Sequence, residues 1–410
     1  MLASLSLIFL AGLAMAAICQ QIRLPRIIGM LITGIVLGPH MLNLLSPSIL
    51  SISSELRQMA LIIILLKAGL SLNIADLKKV GRPAIMMSCV PASFEILAFV
   101  LFAPFVLGIS RIEAAVMGAV LGAVSPAVVV PRMVQLMETK YGTNKSIPQM
   151  IMAGASCDDI FVIVLFSTFV NMAQGGTARL MDFVNIPISI VLGIALGAAS
   201  GLVLGAFFET AYARGRYVRN SMKVILILGV SFMLMTVETL LEGVVSLSGL
   251  LAVVSMACVL KLKSPSHVSK RLSEKFGKLW LAAEVILFVL VGAAVDIRYT
   301  LNAGGAAVLM IFIALSFRAL GVCLCMLGTS LSRRERLFCV IAYLPKATVQ
   351  AAIGSVPLSM GLPCGQIVLS VAVLAILITA PLGAIGIDAS YKKLLTRYSS
   401  ESEIPMNQSL

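Results

Sequence analysis

Ala153-Gly154-Ala155-Ser156-Cys157-Asp158-Asp159-Ile160-Phe161-Val162-Ile163-Val164-Leu165-Phe166 puts two adjacent carboxylates in the middle of an apolar segment. The apolar run around it, Ile147 to Ala173, exceeds the roughly 20 residues a helix needs to cross a bilayer. A carboxylate at that depth costs roughly 2.5–3.5 kcal/mol on the insertion scale. Two in succession mark a functional position in a membrane helix.

The rest of the chain fits the same setting. Of its 410 residues, 60% are hydrophobic and 12% charged, against about 45–50% and about 25% in soluble domains. The apolar stretches run on without the alternation of a membrane barrel, so the chain reads as an all-α polytopic membrane protein. The net charge of +13 is explained by Lys and Arg in cytoplasmic loops, not by nucleic-acid binding. Eight cysteines and two histidines show no CxxC or HxxxH spacing. Cys157, Cys258, Cys323 and Cys325 lie in apolar runs and read as small buried hydrophobes. No cofactor and no transition metal is expected. No Walker or other nucleotide-binding pattern occurs, so nothing points to work driven by a nucleotide. The first 19 residues lack a basic leader, and Arg23 and Arg26 follow the apolar run; they read as a retained first helix.

Hydropathy predicts thirteen transmembrane segments: 2–19, 27–45, 56–74, 84–108, 113–136, 147–173, 184–212, 222–241, 244–262, 278–296, 304–328, 335–358 and 364–387. The tail from Asp388 is short and mostly polar, so no attached soluble domain is expected. Loops after odd-numbered segments, with the tail, hold 24 of the 31 basic residues, among them Arg23, Lys78, Lys79, Lys140, Arg214, Lys263 and Arg333. Loops after even-numbered segments hold four: Arg57, Arg111, Arg179 and Arg298. The asymmetry puts the N-terminus outside and the C-terminus in the cytoplasm.

An internal repeat is legible. Leu65-Leu66-Lys67-Ala68-Gly69-Leu70-Ser71-Leu72-Asn73 aligns with Phe288-Val289-Leu290-Val291-Gly292-Ala293-Ala294-Val295-Asp296, at an offset of 223. Pro126 in segment 5 aligns with Pro345 in segment 12, at an offset of 219. Segments 1–6 thus match 8–13, with segment 7 as linker. Equivalent segments are an odd number apart, which gives the inverted-topology repeat of secondary transporters.

Proline removes a backbone donor and frees a carbonyl. Pro126 and Pro131 flank Ala127–Val130 in segment 5, and Pro345 sits mid-span in segment 12. Interruptions at matching places in two halves point to a binding site. Ser125 and Val128, at the first break, are candidate cation ligands. Lys346, beside the second, is placed to neutralise helix C-terminal ends. Glu95 in segment 4 and Arg318 in segment 11 are separated by the repeat offset of 223, so an ion pair near the pseudo-two-fold axis is expected. Asp158 and Asp159 are about 100° apart around their helix. One can line a cavity while the other faces a neighbour, in the direction of Lys346. Carboxylate oxygens suit hard cations such as Na⁺ or Li⁺, and proton and cation then compete for one place. Glu95, Asp158 and Asp159 outnumber Arg318 and Lys346 by one, which leaves room for the charge of the transported ion.

At these residues the sequence resembles the monovalent cation/proton antiporter superfamily, in its two-aspartate, NHA-type Na⁺/H⁺ branch. The likeness rests on Gly34-Ile35-Val36-Leu37-Gly38-Pro39, Ser125-Pro126-Ala127-Val128-Val129-Val130-Pro131, Cys157-Asp158-Asp159 and Leu344-Pro345-Lys346-Ala347-Thr348-Val349-Gln350-Ala351-Ala352. It implies a homodimer with a static dimer domain (1–74 and 222–296) and a mobile core (84–173 and 304–387). Residues 184–212 would be the linker helix and 388–410 a cytoplasmic tail. The two discontinuous helices would cross, and the core would carry ions in elevator fashion. Asp159 matches the family's essential carboxylate, and Asp158 the position that is asparagine in the electroneutral branch. Many two-aspartate relatives have lysine where this chain has Arg318, and arginine is effectively never deprotonated.

The expected activity is Na⁺(Li⁺)/H⁺ exchange across the cell membrane in pH homeostasis, not enzymatic catalysis. K⁺/H⁺ exchange is the same-class alternative. An intramembrane aspartyl protease needs two aspartates meeting from different helices, whereas these are neighbours on one. A channel fits poorly with paired broken helices.

Overall fold

The computed structural model describes residues 1–22, 24–71, 81–174, 180–216, 218–241 and 247–397. Asn73 of the repeat, the basic residues Arg23, Lys78, Lys79 and Arg179, and the tail beyond Arg397 lie outside the described residues. Among the described residues the fold is all-helical, apart from a bridge between Tyr141 and Arg397. Nine helical runs among the described residues are long and apolar enough to cross a membrane. Large apolar side chains lie bare on the outside, with Phe105 at 86% and Leu2 at 83% exposure, as a lipid-facing surface requires.

The helices are α1 (Leu2–Gln21), α2 (Arg26–Leu37), α3 (Pro47–Ser51), α4 (Ser53–Ser71), α5 (Arg82–Met87), α6 (Val90–Leu107), α7 (Arg111–Leu121), α8 (Pro126–Glu138), α9 (Ile147–Gln174) and α10 (Leu180–Ala213). They continue as α11 (Asn220–Leu241), α12 (Gly249–Lys263), α13 (Ser266–Ala293), α14 (Ile297–Cys325), α15 (Arg333–Ala342), α16 (Thr348–Ile353), α17 (Val356–Ser359) and α18 (Gly365–Leu394).

Several expected boundaries shift. Segment 27–45 is helical only to Leu37, because Gly38-Pro39 ends it and a residue before proline is pushed out of the helical region. Segment 84–108 divides at Ser88-Cys89, just before Pro91. Segment 278–296 begins at Ser266, since the basic stretch ahead of it continues the same helix. The last helix runs on to Leu394, and its Asp388 pairs with Arg132 at 3.0 Å.

Two breaks position the site. α7 stops at Leu121 and α8 starts at Pro126, with Gly122–Ser125 between them. Ser125 is extended, at φ −87° and ψ 111°, as proline demands of its predecessor. Pro131 does not interrupt the chain: it lies inside α8, where buried Val128 and Val129 hold the surrounding turn. The second break spans Tyr343–Ala347, between α15 and α16, and contains Pro345. The Ser125 N–H donates to the Pro345 carbonyl at 2.7 Å, tying the breaks together. Each broken unit opens on a capping box, Ser110 with Glu113 and Ser332 with Glu335, which satisfies donors at the helix start.

Gly383 on α18 sits against the Pro345 ring, and a Cβ there would lie 2.8 Å from Cδ and 3.1 Å from Cβ. Gly383→Ala is expected to cost about 1–3 kcal/mol by overpacking, read as a lowered unfolding temperature of the purified protein.

Packing forms two groups. α5, α6, α7, α8, α9, α14, α15, α16, α17 and α18 pack on one another, while α1, α2, α4, α10, α11, α12 and α13 form a second set. The sets meet where α9 touches α10 and α12 and where α16 touches α4 and α13.

Candidate functional site

α9 carries Asp158 and Asp159 to the inside of the first group. Asp158 is fully buried and Asp159 is 7% exposed. Asp158 Oδ2 accepts the Val124 N–H at 2.8 Å and meets Arg318 Nη2 at 3.0 Å. Its other oxygen, Oδ1, and Asp159 Oδ1 are buried without a hydrogen-bond partner. The hydroxyls of Ser125 and Thr348, one at each break, are likewise buried and unpartnered. Unsatisfied buried oxygens are uncommon and costly, and here four belong to the two aspartates and the two breaks.

Arg318, on α14, is the hub. Nη1 meets Glu95 Oε2 at 2.8 Å and also donates to the Gly122 carbonyl; Nε donates to the Tyr343 carbonyl at 2.6 Å. The guanidinium lies over the Tyr343 ring, 5.3 Å from its centroid, a favourable cation–π position. The Tyr343 hydroxyl in turn donates to the Met87 carbonyl at 3.1 Å. Breaking a helix leaves its last carbonyls orphaned. Gly122 and Tyr343 follow the last residues of α7 and α15, so Arg318 supplies donors where both breaks need them.

Lys346 was expected near the aspartates. Neither pairs with it: Nζ meets Glu95 Oε2 at 2.7 Å and reaches the Ala123 carbonyl at 3.4 Å. Arg318 already occupies Asp158, and Glu95 Oε2 serves both cations. Lys346→Met leaves Glu95 its contact with Arg318. It should therefore destabilise less than removal of Arg318, a ranking that thermal unfolding of the two variants checks.

Of the other sequence candidates, Pro126 and Pro345 stand in the breaks, and Ser125 has its free hydroxyl there. Val128 offers a carbonyl that accepts from Arg132 Nη1 at 3.0 Å, and no hydrogen bond links it to the aspartates. The sequence reading did not single out Gln350, Tyr343 or Thr379. Gln350 Nε2 donates to the Ala123 carbonyl at 2.8 Å, while its Oε1 accepts the Ala347 N–H at 2.8 Å. Thr379 Oγ1 accepts the Lys346 N–H at 3.0 Å. The available signal was a polar side chain in an apolar run, which Gln350 and Thr379 both show. Among the described residues, no cluster of three His, Cys, Asp or Glu side chains could hold a metal ion.

The structure of the sodium proton antiporter MjNhaP1 from Methanocaldococcus jannaschii at pH 8 is similar in fold. It covers 95% of this chain and 97% of its own, with a TM-score of 0.81 at 22% identity. Human sodium/hydrogen exchanger 9B2 is 34% identical over 360 residues, which make up 86% of this chain and 66% of that protein. Human sodium/hydrogen exchanger 9B1 is 32% identical over 432 residues, 99% of this chain and 80% of that protein. The chain thus spans slightly under two thirds of the length of the 9B2 relative. The transmembrane sodium/hydrogen exchanger family matches residues 5–391, and the chain belongs to that family.

Proposed function

We propose that the protein is a secondary antiporter that exchanges Na⁺ or Li⁺ for H⁺ across the cell membrane. The observation that carries this reading is the set of unpartnered oxygens on Asp158, Asp159, Ser125 and Thr348, beside a charge set with one carboxylate in excess. Hard cations take oxygen ligands. A proton on Asp159 and a cation at the same oxygens exclude each other, and competition for one place couples the two flows.

Asp158 is held by Arg318 and the Val124 N–H, and Arg318 keeps its proton. Asp159 is then the single exchanging carboxylate, and the reading is one cation for one proton. The movement is an elevator: the first helix group (84–173 and 304–387) is the mobile core, and the second (1–74 and 222–296) the static dimer domain of a homodimer, with 184–212 as linker. The small set of contacts between the groups supports this division.

Thirteen transmembrane segments in an inverted repeat, with crossing broken helices, are part of the same proposal. The repeat is supported by two glycine contacts in matching segments. Gly292 on α13 lies against the Leu31 carbonyl of α2, and Gly69 on α4 against the Val254 carbonyl of α12. The paired capping boxes and the Ser125–Pro345 hydrogen bond add to it. The distribution of basic residues supports an N-terminus outside and a C-terminus in the cytoplasm.

The test is a Na⁺ concentration jump on proteoliposomes, recording lumenal pH and membrane current. Na⁺-driven proton movement without net current is expected. Absence of proton movement overturns exchange, and a sustained current overturns the one-for-one ratio.

A further inference from the structure

We propose that Arg57 is the centre of a second site, one that binds a small monovalent anion of the halide class. Arg57 is one of the four basic residues that the sequence reading puts in loops after even-numbered segments. It lies on the first turns of α4 and is 6% exposed, with Nε and Nη1 buried and unpartnered. A buried cation with unmet donors is among the costlier features a protein can carry. Water can satisfy the donors but brings no opposing charge, whereas an anion supplies both.

The surroundings are those of a ligand site. Arg57 lines two cavities, of about 610 and 450 Å³. The larger is lined by Gln58, Ser167, Asn171, Thr239 and Ser355, which offer neutral hydroxyl and amide donors. The smaller brings in His40, Ser53 and Gln366. Each cavity also has one acid in its lining: Glu238 in the larger, and Asp296, 3.8 Å from His40 Nδ1, in the smaller. Neither carboxylate accepts a hydrogen bond from Nε or Nη1, and their presence in the lining disfavours a dianion such as sulfate or phosphate more than a single charge. The site joins α4 of the second helix group to α9 and α17 of the first, so an anion here ties the groups together. Binding stands independently of the antiport reading; only its consequence for exchange rests on it.

The probe is thermal unfolding of the purified protein at fixed Na⁺ and ionic strength, with gluconate replaced stepwise by chloride, bromide or sulfate. A saturable rise in Tm is expected with chloride and bromide, but not with sulfate. It should be lost in Arg57→Gln and weakened in Arg57→Lys. A response that does not saturate, that is largest with sulfate, or that is unchanged in Arg57→Gln overturns the site. Asn171→Ala serves if Arg57→Gln does not fold. Removing one lining donor should move half-saturation by roughly 2–10-fold, the worth of a hydrogen bond. Unmoved half-saturation in both Asn171→Ala and Arg57→Lys overturns the proposal. A tie made by Glu238 rather than by an anion gives no halide response in the unmodified protein and loses Tm in Glu238→Gln, which also overturns it.

Discussion

Arg318→Leu is expected to destabilise the protein by roughly 3–5 kcal/mol, the cost of removing one partner from a buried ion pair. The side chain is fully buried. Its loss strips Asp158 of its only cation within 4 Å among the described residues, and leaves Glu95 with Lys346 alone. It also orphans the carbonyls of Gly122 and Tyr343 at the two breaks. The measurement is the unfolding temperature, with the yield of monodisperse protein as a second readout. A change below about 1 kcal/mol, the scale of an exposed pair, would remove Arg318 from its central role.

The double exchange Glu95→Arg with Arg318→Glu looks from the sequence like a simple test of pairing. The structure changes the expectation. A glutamate at position 318 would face Asp158 and two carbonyl oxygens, and an arginine at position 95 would face Lys346. The swap should therefore fail to restore stability even though residues 95 and 318 are in contact at 2.8 Å. Arg318→Lys keeps the charge but has no planar fork to reach several acceptors at once, and its stability should fall between those of the unmodified protein and Arg318→Leu.

The second large effect concerns activity. Asp159→Asn is expected to abolish Na⁺-driven proton movement in proteoliposomes while leaving the fold intact. Asparagine keeps the size of the side chain but neither takes up and releases a proton nor brings a negative charge to a cation. Asp159 Oδ1 has no hydrogen-bond partner, so the substitution breaks no bond at that oxygen; the loss should be one of transport and not of Tm. Asp158→Asn should behave oppositely, lowering Tm through its lost pair with Arg318. Retained exchange in Asp159→Asn would move the carrier role elsewhere in the cluster.

Much of this was legible in the chain alone. Continuous apolar runs depend only on local composition, so the membrane class and most segment cores followed directly. The proline breaks are also local, because proline restricts itself and the residue before it. Pro131 marks the limit of that rule: a proline inside a packed helix removes a donor without ending the helix. The candidate residues Asp158, Asp159, Glu95, Arg318 and Lys346 stood out because each is charged where charge is costly.

What sequence could not settle was who meets whom. Asp158 and Asp159 are neighbours in the chain, yet one is held by Arg318 and Val124 while the other has an oxygen without a partner. That difference comes from the direction of each side chain around α9 and from the packing of α14 beside it. Lys346 turned to Glu95 rather than to the aspartates because the guanidinium of Arg318 already filled the space at Asp158. The sequence by itself determined the membrane-spanning helices, the broken segments and the set of buried charges. The tertiary structure alone decided their pairing, because hydropathy and proline act within a few residues, whereas each hydrogen bond made by the side chains of Glu95, Asp158, Arg318 and Lys346 joins positions 25 to 251 residues apart.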